Sequence, residues 1–326
     1  MMAEEIKVSV VVPCYNVEKF VRQCLESLKC QTLQEMEFIV VNDGSTDGTF
    51  SIIEEVVRTD HRFVVINKPN TGYGDSVNQG LDEARGEYIG IIESDDWCEP
   101  NMFAILYSSA KKMDLDISRG SYWIFENGED HVSKSYKIPK KVLCTPIERQ
   151  SIFLQPPAIW SSIYKAKWLR ENLINFRQTS GASFQDISFA FKTNLMCRRY
   201  WATPQCLMHY RIHGNNSVKK TSAPFAVLNE YVECIKWAKD RGLFEQIKRI
   251  IPAIEYKTYK WNYLRLPKKD ATVFFDKWHQ EWMAFDSVGI SAKEFSLKIR
   301  LYYYLVVYCP VLFKKYYLDV KRHRRG

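Results

Sequence analysis

Asp95 and Asp96 stand side by side at the end of a short apolar run, Glu87-Tyr-Ile-Gly-Ile-Ile-Glu-Ser-Asp-Asp-Trp97. Adjacent carboxylates repel each other, and a chain that puts them where a strand stops is suited to hold a cation there. Mg²⁺ and Mn²⁺ take oxygen ligands and commonly bridge one or two carboxylates to a substrate's phosphates. For an isolated Asp-Asp the ordinary alternative is an exposed turn, because Asp favours turns and helix N-caps. The polar clusters elsewhere in the first half of the chain shift the balance toward a site.

Those clusters are positioned by an alternation of strand and helix patterns. Unbroken β-branched or apolar runs at 6–12, 38–42, 63–66 and 88–92 predict strands buried on both faces. Helical spacing occupies 18–30, 49–58 and 75–84 between them. This order predicts a mostly parallel α/β sheet with right-handed crossovers, whose ligands sit beyond the carboxyl ends of the strands. Each predicted strand end carries polar residues: Pro13-Cys-Tyr-Asn16, Asn42-Asp-Gly-Ser-Thr-Asp47, Lys68-Pro-Asn-Thr-Gly72 and Glu93-Ser-Asp-Asp96. Further on, 116–125 and 131–137 predict a hairpin around Glu126-Asn-Gly-Glu129. A helix is expected at 183–194, two strands at 200–203 and 207–212, and helices rich in Trp and Tyr beyond about residue 220.

Several nucleotide signatures are missing. No Gly-x-x-x-x-Gly-Lys-Ser/Thr occurs, Gly72-Tyr-Gly74 meets Val77 where a dinucleotide fingerprint needs a third glycine, and no Ser or Cys lies in a nucleophile elbow. The remaining residues suit a nucleotide-diphosphate sugar. Asp43 is placed to accept the imide proton of uracil, Asp95 to hold ribose hydroxyls and Asp96 to hold a divalent ion that neutralises a departing diphosphate. An attacking hydroxyl also needs a carboxylate or His as general base. His209 and His213 are spaced as metal ligands on a helix would be, but their strand-like context argues against that use.

In order and spacing, Val10-Val-Val-Pro-Cys-Tyr-Asn-Val-Glu18, Val41-Asn-Asp-Gly-Ser-Thr-Asp47, Asn70-x-Gly72, Ala84-x-Gly-Glu-Tyr-Ile89, Ser94-Asp-Asp96 and Phe184-Gln-Asp186 resemble a family 2 glycosyltransferase of the GT-A fold over about residues 6–218. The resemblance implies an inverting sugar transferase with a nucleotide-sugar donor, a UDP-hexose or UDP-N-acetylhexosamine, and Mg²⁺ or Mn²⁺. It implies that Pro13, Tyr15, Asn16 and Glu18 form a first nucleotide-contacting loop and that Asp43 binds the base. Asp95 and Asp96 would end an Asp-x-Asp-type motif with Asp96 on the metal, and Asp186 would be the general base. Arg211 would reach the diphosphate from a closing loop. The implied acceptor is a saccharide or polyprenyl-linked saccharide. Gln185 stands where Glu is usual, Glu93 where Asp is common, and Ser76-Val-Asn78 where Ala-Arg-Asn is frequent.

Composition sets the remaining expectations. The chain has 326 residues, with 46% hydrophobic and 26% charged, which is globular rather than disordered. The expected division is a catalytic domain at 1–218, split near 113 into nucleotide-sugar and acceptor halves, and a helical basic region at 219–326. Nine scattered cysteines without a Cys-x-x-Cys suit reduced thiols in the cytoplasm, and the N-terminus lacks the pattern of a signal peptide. Residues 1–220 hold 26 Lys/Arg against 27 Asp/Glu, and residues 221–326 hold 20 against 11, so the whole basic excess lies in the last third. Residues 301–313 are free of charge but too few to span a bilayer, which takes about 20. The basic segment that follows predicts a peripheral attachment to an anionic membrane surface, on the inner face of the cell membrane. The alternatives are a sugar nucleotidyltransferase, which lacks its triphosphate loop here, and a non-enzymatic membrane or nucleic-acid adaptor, for which no nucleic-acid motif is found.

Overall fold

A computed structural model describes residues 5–132, 139–144, 146–179, 181, 184–214 and 223–323. The chain forms two compact units, Met1–Gly214 and Asn215–Gly326. The first holds β1 (Val8–Cys14), β2 (Met36–Asp43), β3 (Phe63–Lys68), β4 (Tyr88–Ile91), β5 (Trp97–Cys98), β6 (Ile117–Glu126), β7 (Glu129–Val132), β8 (Ser162–Lys165) and β9 (Tyr200–Arg211). They build one sheet in the order β3-β2-β1-β4-β8-β6-β9-β5, with β7 paired to β6. β1 to β4 run parallel. β8 is antiparallel to both β4 and β6, and β9 lies parallel to β6.

Helices α1 (Val21–Lys29), α2 (Thr49–Val57) and α3 (Tyr73–Glu83) make the crossovers between the first four strands. Every residue of β1 and β2 is buried, as β-branched strands covered on both faces are. The chain steps outward from β1 to β3 and then returns to place β4 on the other side of β1. That reversal opens a crevice beyond the carboxyl ends of β1 and β4, where α/β sheets bind ligands. Gly80 lets α3 approach β1: a Cβ there would lie 2.3 Å from a methyl carbon of Val11.

The rest of the first unit carries α4 (Met102–Met113), α5 (Pro146–Phe153), α6 (Ala166–Glu171) and α7 (Gln185–Met196). The expected hairpin is present. Asn127 and Gly128 both have positive φ, as a two-residue type I′ turn requires. Its second strand is β7, and residues 133–137 of the expected range lie outside the described residues. The two strands expected at 200–203 and 207–212 are one strand, β9. Its pairing to β6 shifts register beside Ser121, which absorbs Pro204 and Gln205 as an irregularity.

The second unit is helical, with α8 (Ala226–Asp240), α9 (Phe244–Ile247), α10 (Ile251–Arg265), α11 (Lys268–Met283) and α12 (Leu297–Tyr308). Trp237, Trp278 and Trp282 are buried packing residues, whereas Trp261 is exposed under the Arg265 guanidinium. Among the described residues no helix is long and apolar enough to cross a membrane. Glu255 and Glu281 of neighbouring helices are acids with little access to water. Glu255 accepts from the Trp282 indole at 3.0 Å and Glu281 from the Tyr259 hydroxyl at 2.9 Å. One oxygen of each is buried without a partner among the described residues. Burial pushes Glu281 up to about 7. Burial and then the charge of Glu281 push Glu255 well above the carboxylate range.

Two outcomes follow. Gly80→Ala should lower unfolding stability by about 1–3 kcal/mol, the cost of overpacking a filled core, read as a lower urea midpoint at unchanged slope. Because Glu281 is protonated more readily folded than unfolded, its contribution is complete below about 4.5 and is lost as pH rises through about 7. Glu281→Gln keeps the acceptor for Tyr259 without the titration. Its urea midpoint should fall less than the wild type's between about pH 5 and about pH 8.

Candidate active site

The crevice is walled by loops that hold each other. The loop after β1 is stapled to the loop after β2. Asn16 N–H donates to Ser45 Oγ at 3.1 Å, and Asn16 Oδ1 accepts from Thr46 N–H at 2.8 Å. Val17 N–H donates to Thr49 Oγ1 at 2.8 Å, and Glu18 Oε2 accepts from Gly48 N–H at 2.9 Å. Asn16 and Glu18 therefore brace the loop. Pro13 is buried at the end of β1, and Tyr15 in the loop that follows is 49% exposed.

Asp43 closes β2 and is almost fully buried. One carboxylate oxygen accepts from Lys68 Nζ and from Thr71 N–H at 2.9 Å, the other from Gly72 N–H at 3.0 Å. A carboxylate offers about four acceptor positions, so one is left for an outside donor such as an imide N–H. Gly72 is needed for this grip, since it sits at φ 102° and a Cβ would lie 2.5 Å from the Thr179 carbonyl oxygen. An open cavity of about 390 Å³ lies at the ends of β2 and β3, lined by Asn42, Gly44, Ser45, Asn67 and Lys68 among others.

At the end of β4 the acids converge. Asp96 is 1% exposed. Its Oδ1 accepts from the backbone N–H of Arg211 at 2.7 Å, while Oδ2 is buried with no partner among the described residues. Asp95 is half-buried, with its Oδ2 2.8 Å from His213 Nε2. Glu93 accepts from the Tyr73 hydroxyl at 2.6 Å. Burial pushes Glu93 up to about 8, opposed by Tyr73 and reinforced by the charges of Asp95 and Asp186. Burial, then the neighbouring Asp95, pushes Asp96 well above the carboxylate range. Among the described residues no three ligand side chains converge tightly enough to hold a metal by themselves. The orphaned Asp96 oxygen and the mutual repulsion of the acids nevertheless fit a divalent cation completed by substrate oxygens.

Asp186 lies in the first turn of α7, and its charge is felt by Glu93, Tyr73 and Tyr210, so it belongs to the same cluster. The preceding Gln185 is buried and donates to Thr179 Oγ1 at 2.8 Å and to the Gly181 carbonyl at 3.2 Å. An ionised Glu has no proton to offer that carbonyl, which accounts for the amide here. Tyr73 N–H also donates to the Gly181 carbonyl, at 3.2 Å, joining the loop before α7 to the start of α3.

Arg211 ends β9 rather than lying on a loop. Its Nε donates to the Asp95 carbonyl at 2.8 Å and its Nη2 to Gln23 Oε1 at 2.5 Å. The guanidinium lies against the rings of Trp97, Phe20 and Phe125, 4.4–5.3 Å from their centroids. His209 and His213 face different partners. His209 bonds Glu99 and Asp130 at 2.8 and 2.9 Å and stacks on Trp97. Sequence reading did not find Tyr73, His213 or Tyr210 as neighbours of the acids. Tyr210 stacks on Trp160 with centroids 5.2 Å apart and planes 2° from parallel. No local pattern marks these contacts, because each joins distant segments.

The profile of Glycosyl transferase family 2 matches residues 9–202. The chain belongs to glycosyl transferase family 2. EpsH of Bacillus subtilis (strain 168), provisionally named a glycosyltransferase, is 33% identical over 65% of this chain and 63% of its own length. The chain thus spans just under two thirds of that relative. Among solved structures, residues 1–349 of Staphylococcus aureus TarS with UDP-GlcNAc align at TM-score 0.76 and 21% identity, covering 92% of this chain and 87% of TarS 1–349. PcManGT from Pyrobaculum calidifontis, a mannosyltransferase with GDP-Man and Mn²⁺, aligns at TM-score 0.57 and 17% identity, covering 84% and 75%. The fold is the GT-A fold with a helical C-terminal region. The family match favours sugar transfer over the adaptor and nucleotidyltransferase alternatives.

Arg211→Lys keeps the charge but cannot reproduce two directed donors and a planar stack. It should lower stability by about 1–3 kcal/mol, the range for losing hydrogen bonds of a charged group, read as a reduced urea midpoint. Wild-type stability in this variant would show that the brace is not in use.

Proposed function

We propose that the enzyme transfers a hexose or N-acetylhexosamine from a UDP-sugar to a hydroxyl of a saccharide or polyprenyl-linked saccharide, with inversion at the anomeric carbon. The observation that carries this is the gathering of Glu93, Asp95, Asp96 and Asp186 at the carboxyl end of β4. Tyr15 and Asp43 would take the base, by stacking and by the remaining acceptor position of the carboxylate. Asp95 would hold the ribose hydroxyls, and His213 would fix the Asp95 carboxylate. Asp95 and Asp96 would hold Mg²⁺ or Mn²⁺ together with the donor's diphosphate. Such an ion, when bound, neutralises charge on the leaving diphosphate. Arg211 is a positioning residue, tying the ends of β9 and β4 together. Pro13, Asn16 and Glu18 act by shaping the nucleotide loop.

Asp186 would accept the proton of the acceptor hydroxyl as that oxygen attacks the sugar from the face opposite the diphosphate. One displacement of that kind turns an α-linked donor into a β-glycoside. Tyr210, half-buried beside the acids and backed by the buried Trp160 ring, suits the face of a sugar ring. The odd, scattered set of nine cysteines supports a reducing, cytoplasmic setting.

Asp186→Asn retains shape and hydrogen bonding but removes the base. Its kcat should fall about 10²–10⁴-fold while the donor KM stays within about threefold, measured as UDP release from UDP-sugars with Mn²⁺. Undiminished turnover would remove Asp186 from the role.

A further inference from the structure

In α12 the residues Tyr303 and Val306 are buried, and the opposite face carries Leu297, Leu301, Tyr304 and Tyr308, all exposed. The spacing i, i+4, i+7, i+11 is that of one helical stripe. A helix with an apolar outward face as well as an apolar inward one is incompletely covered. After the break at Cys309 the outward apolar residues continue with Val311, Leu312, Tyr316 and Val320, while Phe313 and Leu318 face inward. The exposure is substantial: 83% for Leu297, 67% for Tyr308 and 74% for Val311. Isolated surface hydrophobics need no explanation, but a continuous series of this kind marks an interaction surface.

Charge says what covers it. Residues 297–326 contain eight Lys/Arg against one acid, Asp319. Lys298, Lys315 and Lys321 are exposed within the described segment. Arg300, Lys314 and Arg322 donate to neutral acceptors, namely backbone carbonyls and the Thr272 hydroxyl. None of these six cations stands in an ion pair among the described residues. A second copy of the chain would bring the same excess of positive charge against itself, because a two-fold interface pairs a patch with its own image. An anionic lipid surface matches both properties: the Leu, Val and Tyr side chains suit the boundary between headgroups and acyl chains, and the cations suit the headgroups.

We propose that the 297–320 stripe docks the enzyme on an anionic bilayer surface, lying in the interface without crossing it. The claim is independent of the sugar-transfer chemistry, since it is read without substrate. The test is flotation of the full chain with phosphatidylcholine vesicles, with and without about 30% phosphatidylglycerol. The expected result is flotation only with the anionic vesicles, reduced at least about tenfold when salt rises from about 0.05 M to about 0.5 M. Leu301→Asp/Tyr308→Asp and, separately, Lys315→Glu/Lys321→Glu should each reduce it by about tenfold or more, with unchanged thermal midpoint and UDP binding. All four positions are exposed, so both double variants keep the fold. The proposal is overturned if the wild type fails to float with anionic vesicles or if both variants float as it does. It is equally overturned if Leu301→Asp/Tyr308→Asp converts a dimer to a monomer while vesicle binding stays unchanged.

Discussion

The structure depends on keeping several carboxylates together at the tip of one strand. Like charges in a partly buried crevice repel each other and are poorly hydrated. Left alone they would be relieved by protonation or by local rearrangement. Here β9 supplies the counterweight. The Arg211 backbone N–H binds Asp96, its guanidinium binds the Asp95 carbonyl, and three aromatic rings hold that guanidinium in place. The brace leaves one Asp96 oxygen buried and without a partner among the described residues, so repulsion among the acids remains for a cation and its ligand to relieve. A site that is incomplete in this way suits a substrate that brings phosphate oxygens with it.

The sheet order explains how this arrangement is reached. β4 returns beside β1, which puts the acids next to the stapled loops after β1 and β2. Gly80 sets α3 close on β1, and Tyr73 at the start of α3 then reaches Glu93. The loop before α7 is fastened to the same helix start through the Gly181 carbonyl, bringing Asp186 to the cluster. Position in the fold thus brings four separated acids into one cluster.

The parts legible in the sequence were those with local signals. β1 and β2 are continuous β-branched runs, and the Asn127-Gly128 turn has the composition its dihedral angles demand. β5 and β8, with two and four residues, are too short to show periodicity and exist because neighbouring strands offer them an edge. Side-chain direction was equally hidden. Asn16 and Glu18 fall in a motif segment expected to contact nucleotide, but they turn toward the β2 loop. Arg211 lies in the strand expected at 207–212 and ends β9, because β6 pairs with β9 up to that residue, whereas the family resemblance implied a closing loop. Gln185, a departure from the usual family pattern, is explained only by the carbonyl it meets across a loop.

The central claim is that the acids at the end of β4 take a nucleoside diphosphate together with a cation. Calorimetric titration of UDP into the full chain, with and without Mn²⁺, tests it most directly. The account predicts that Mn²⁺ tightens UDP binding at least about tenfold and that Asp95→Asn abolishes this gain while the fold is kept. Equal UDP affinity with and without the ion, or a gain that survives in Asp95→Asn, would contradict it.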